Sequence, residues 1–92
     1  MTEWHSVVEI EGEEPQEEDF SMPDKMDAED VANDVVRCLW KREQMNGDAT
    51  DERWSGLTLR VELSKRSGNA WIPVGVYSVV SEITVVFSVS EL

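Results

Sequence analysis

Few side chains in this sequence are equipped for chemistry, and carboxylates dominate those that are. There is one histidine, His5, one cysteine, Cys38, and one tyrosine, Tyr77, against 20 Asp and Glu. Two carboxylates share acid–base work only where their environments separate their pKa values. Glu13, Glu14, Glu17, Glu18 and Asp19 lie in one polar run and are expected to be solvated and fully ionised. His5 has no recognisable nucleophile motif to serve as base. Cys38 stands at the margin of an apolar helical stripe, where cysteine packs as a small hydrophobe. No glycine-rich phosphate loop is present. The expected chain is not an enzyme and holds no cofactor.

Metal chemistry meets the same shortage. A calcium loop needs oxygen ligands at alternating positions, Gly at the sixth and Glu at the twelfth. No stretch meets that spacing, and His5 with Cys38 is too little for zinc. No metal site is expected.

What remains is charge. The 8 basic residues leave a formal net charge of -12. Thirteen of the acids fall within positions 1–34, opposed there only by Lys25. From position 35 onward seven acids meet seven bases. Such a front repels a nucleic acid or an anionic membrane and attracts a basic protein surface. Neither direct nucleic-acid binding nor membrane binding is expected. The basic groups Arg60, Lys65, Arg66 and Arg37, Lys41, Arg42 are short and read as solvated surface or as local partners for the acids.

The expected contact set is Glu9, Glu11, Glu13, Glu14, Glu17, Glu18 and Asp19, continued by Asp24, Asp27, Asp30 and Asp34. Duplex DNA carries one charge per roughly 1.7 Å of axis, and these acids are dense enough to mimic it if they are held in place. Apolar anchors would add contact area. Of four tryptophans, Trp40 sits off the helical stripe and Trp54 lies in a polar connection, so these two are the anchors expected to be partly exposed; Phe20, with Met22, either adds an exposed anchor or pins the acidic loop onto the core. Trp4 and Trp71 read as strand-face packing.

The elements that must position these groups follow from hydrophobic period. Trp4, Ser6, Val8 and Ile10 alternate, giving a first strand over 4–10 with one buried side. Residues 11–24 hold two prolines and no periodicity, and read as a long acidic loop. Asp27, or Ser21 before Met22-Pro23 as an earlier start, caps a helix whose stripe is Ala28, Val31, Ala32, Val35 and Leu39, with Asn46-Gly47 as its stop. Lys41 and Arg42 fall near its end, as the helix dipole favours.

Leu57, Leu59, Val61 and Leu63 alternate in a second strand, and 65–69 form a hairpin turn. In the following strand, Ala70 to Val79, Pro73 argues for an edge or a bulge. Gly75 leaves room for a bulge or for a large neighbouring ring. After a turn at Ser81-Glu82, a last strand runs from Ile83 to Val89 with apolar residues on both faces.

The order β-α-β-β-β makes a single α+β domain over 1–92, one amphipathic helix on a small, mostly antiparallel sheet. A chain of 10.5 kDa supports one modest core. The first residues, Met-Thr-Glu-Trp-His, carry neither the basic region nor the apolar run of a secretory signal, so a cytoplasmic location is expected. The expected function is a non-enzymatic acidic protein that binds and inhibits or modulates a basic protein, including by nucleic-acid mimicry. One alternative is an assembly subunit that associates with itself or another chain through Ile83–Val89. The other is a small metal-binding or enzymatic domain using His5.

Overall fold

In a computed structural model the residues described are 1–47, 54–81 and 87–92. Five strands and one helix appear among them: β1 (Thr2–Ile10), β2 (Gln16–Met22), α1 (Ala28–Asn46), β3 (Thr58–Ser67), β4 (Ala70–Ser81) and β5 (Phe87–Glu91). The strands form one antiparallel sheet in the order β2-β1-β3-β4-β5. The helix packs on one face of it, so the expected α+β class holds.

The element order gains a strand. Residues 11–24, expected as an acidic loop, form a turn over 11–15 and then β2, which pairs with β1 from Thr2↔Met22 to Val8↔Gln16. Glu13 N–H donates to the Ile10 carbonyl at 3.0 Å. Gly12 takes φ 82, a left-handed conformation in which a side chain would be strained. Local repulsion among the acids is overcome by pairing. Phe20 faces Trp4 across the ladder, while Glu17, Glu18 and Asp19 keep water beside them on an edge strand. Charge on an edge also blocks sheet-to-sheet association. The pairing of β1, left open by the sequence, is central: β2 lies on one side and β3 on the other.

The helix begins and ends where its signals stand. Asp27 is the N-cap, its carboxylate accepting from Asp30 N–H at 2.9 Å. Gly47 closes it in the left-handed conformation, its N–H donating to the Gln44 carbonyl at 3.2 Å. The helix stops at Asn46-Gly47 as expected, and Lys41 and Arg42 stand just before its last turn, which holds no basic residue. Val31, Ala32, Val35, Val36 and Leu39 face the sheet. Cys38 is exposed, so its expected burial at the stripe margin is corrected: the buried stripe widens to Val36, on its opposite margin.

Beneath the helix lie Trp4, Val8 and Ile10 of β1, Leu59, Val61 and Leu63 of β3, and Tyr77 and Val79 of β4. The β3–β4 hairpin turns at Gly68, where φ is again positive, with Ser67 opposite Ala70. Its register shifts at Leu63/Ser64, leaving Val74 as the extra residue of a bulge beside Pro73. Both expectations for Gly75 hold, since the Tyr77 ring rests over it; a Cβ there would stand 3.1 Å from the phenol oxygen.

The strand expected over Ile83–Val89 falls partly outside the described residues, as does the turn at Glu82. The backbone of Phe87–Glu91 pairs with β4 as the second edge. No helix among the described residues is long and apolar enough to cross a membrane.

Candidate functional site

The expected contact acids do not form one continuous flank; the fold distributes them over three places. Glu11, Glu13 and Glu14 sit on the β1–β2 turn. With Glu9, the first two line an open hollow of about 620 Å³ that also includes Pro15, Thr58 and Arg60. Glu17 and Asp19 lie along β2 on the sheet face away from α1, whereas Glu18 points to the helix side. Asp24, Asp27 and Asp30 gather at the far end, where β2 leads into α1. The two end groups are separated by the length of β1, Thr2–Ile10. At the usual strand rise of about 3.3 Å per residue, that length is roughly 25 Å. Asp34 is half-buried one turn further along the helix.

Fixed geometry replaces the expected looseness. Arg42 donates to Glu18 at 2.8 Å and so ties β2 to the helix. Asp19 Oδ1 lies 2.5 Å from His5 Nδ1, and Glu17 Oε1 lies 3.5 Å from His5 Nε2. Arg60 stands 3.4 Å from Glu9 and 3.1 Å from Glu62; Arg66 donates to Glu3 at 3.0 Å. Thr2 Oγ1 donates to Asp24 at 2.6 Å, and that hydrogen bond leads in holding the Asp24 carboxyl below the usual range. Most of these pairs are solvent-exposed and each contributes little energy. Their effect is positional: they restrict where the carboxylates point.

One expected anchor is corrected: Trp54 is only 4% exposed and belongs to the core, while Trp40 is partly exposed as expected and Phe20, also half-buried, packs against the core. Polar neighbours in sequence misled here, because Trp54 folds inward just before β3. The exposed tryptophan is Trp71, at 40%, which reads in sequence as packed. Register was the missed signal: Ser67↔Ala70 sets Arg66 opposite Trp71, on the face of Arg60 and Glu62 rather than that of Leu63. Trp71 then stands 5.7 Å from the His5 ring and 5.9 Å from the Arg66 guanidinium.

Two acids absent from the expected set, Glu3 and Glu62, join Glu17 and Asp19 on this uncovered face. Alternation along β1 and β3 carried that information. Ser64 lies opposite His5 across β1–β3, giving serine, histidine and aspartate on three adjacent strands. The imidazole nitrogens face Asp19 and Glu17 rather than the hydroxyl, so they hold no acceptor toward Ser64. The hydrogen bond to Asp19, its charge and the more distant Glu17 raise the His5 pKa above 6.5 despite some burial. Among the described residues no group of three or more His, Cys, Asp and Glu is arranged to hold a metal ion.

Searches against family models, curated proteins and solved structures each gave no match for this chain.

Proposed function

We propose that this chain is a non-enzymatic interaction protein that binds a basic protein surface and inhibits or modulates its owner. The observation that carries the reading is β2. Glu17, Glu18 and Asp19 stand in a hydrogen-bonded ladder instead of a loose loop, so the entropy of ordering them is spent on folding rather than on binding. Residues two apart on a strand are about 6.6 Å apart on one face. A row of anions at that pitch suits a groove that otherwise receives phosphates, which supports competition with nucleic acid for a basic site. An exposed free thiol at Cys38 accords with a reducing, cytoplasmic setting.

Capture from host lysate at low and at moderate salt identifies the partner, and its affinity is then followed against ionic strength. Affinity falls steeply with salt, and Glu11→Gln, Glu13→Gln and Glu17→Gln together slow association about tenfold or more. A flat salt response removes this reading.

One observation favours a second reading, assembly through the C-terminal strand: β5 pairs only with β4 and leaves its outer edge open among the described residues. Sedimentation separates the two. A stable oligomer supports assembly; a monomer supports the acidic contact.

A further inference from the structure

One face of the sheet carries α1, and no described element covers the other. That uncovered face is divided in character. On its β2–β1 side stand Glu3, Glu17 and Asp19. On its β4 side the chain from Ser67 to Ser81 contains no charged residue, and Trp71 and Val80 are 40% and 36% exposed. Between the halves, beside the β3–β4 bulge, lies a hollow of about 220 Å³ lined mainly by Val7, Leu63, Pro73 and Val76, with Glu62 at its rim. Arg60 and Arg66 are engaged by Glu9, Glu62 and Glu3, and His5 by Asp19 and Glu17, so the five carboxylates of this face outnumber its three basic side chains and leave it net acidic.

We infer that this face docks an amphipathic helix of a partner protein, with its apolar stripe on Val7, Val76 and Trp71 and its basic flank toward Glu17 and Asp19. The inference rests on the reading of the acids as contacts for a basic partner and adds the shape of what they contact. Dimensions decide for a helix. From β4 to β2 is three strand spacings, about 14 Å, and a helix with its side chains is about 10–12 Å across. One helix therefore touches both halves at once. A strand added beside β2 would meet the acids alone. A second copy of this chain would set its own acidic half against this one and is disfavoured by charge. The helix already packed on the opposite face shows that the twist of this sheet accepts one.

The test uses two synthetic peptides of about 18 residues, equal in leucine and lysine content. In one the leucines form a helical stripe; in the other they are scattered. The whole chain is titrated with each by calorimetry, and amide shifts are mapped by NMR. The striped peptide binds about tenfold or more tightly than the scattered one, the effect of burying one or two large apolar side chains. Shifts concentrate on β1, β3 and β4 at open-face positions. Trp71→Thr with Val76→Thr removes the preference while leaving the scattered peptide unchanged, and the unaltered chain's shift map stands on its own should that variant fail to fold. Equal affinities, or shifts confined to the β1–β2 turn and the β2 edge, overturn the docking face and leave the electrostatic reading standing. No binding of either peptide at low salt overturns both.

Discussion

His5 and Asp19 face each other across the β1–β2 ladder, with Nδ1 and Oδ1 2.5 Å apart. The contact joins the edge strand to its neighbour through the one histidine of the chain. Because the hydrogen bond and charge of Asp19 outweigh burial, the folded-state pKa lies above the ordinary 6.5. A raised pKa stabilises the fold fully below the unfolded value, and that contribution disappears as pH climbs through the folded value. Urea midpoints measured between pH 5.5 and about 9 should therefore fall with rising pH. His5→Gln should flatten the slope over that window; an unchanged slope would assign it to other groups.

Gly75 is held by a ring. The Tyr77 phenol covers it so closely that a Cβ would meet Oη at 3.1 Å and two ring carbons at 3.2 and 3.3 Å. Tyr77 is buried, and burial leads in pushing its phenol up, with the nearby carboxylates of Glu91, Glu29 and Asp27 adding to the effect. The ring therefore has little room to retreat. Gly75→Val should cost about 1–3 kcal/mol despite the better strand propensity of valine. Near-ultraviolet circular dichroism reports the displaced tyrosine, and denaturant unfolding reports the energy.

The parts that read correctly from sequence are those whose cause is local. Leu59, Val61 and Leu63 alternate with polar residues, so β3 declares its buried face; Asp27 and Gly47 bound α1 by groups that act within three or four residues. Strand β2 has no such local cause. Its acids repel one another, and its order comes from pairing with β1 and from Phe20 resting opposite Trp4. Phe20 and Met22, two apart, were the trace of a strand face, though their spacing also suits the end of a loop pinned to a core. Trp54 and Trp71 exchanged their expected places for the same reason. Burial of a single aromatic is set by register and chain direction, while composition around it reports only the neighbours.

Ser6 is a polar group in an apolar place. It is 1% exposed beneath α1, between Trp4 and Val8 along β1, and its hydroxyl has no hydrogen-bond partner among the described residues. A buried hydroxyl left unpaired costs about 1–3 kcal/mol, while alanine fills nearly the same space. Ser6→Ala should stabilise the chain by about 1 kcal/mol, a rise in Tm of roughly 4–8 °C for a domain of this size. A fall in Tm would mean that the hydroxyl is satisfied in solution.

The functional proposal depends on β2 staying in place, and Phe20 is the side chain that tests this. It is half-buried on the helix side, opposite Trp4, in a strand otherwise rich in acid. Phe20→Ala removes most of the apolar burial near the Met22 end of β2 and should cost about 2 kcal/mol, below the range for fully buried rings. Edge strands open locally without global unfolding, so the loss should appear first as exchange. Amides of Gln16–Met22 that pair with β1 should exchange about tenfold or more faster, while those linking β3 to β4 change little. Equal acceleration in both would show that β2 unfolds only with the whole domain. In that case its acids are held as firmly as the core, and slower partner association in Phe20→Ala would have to arise elsewhere than in a freed strand.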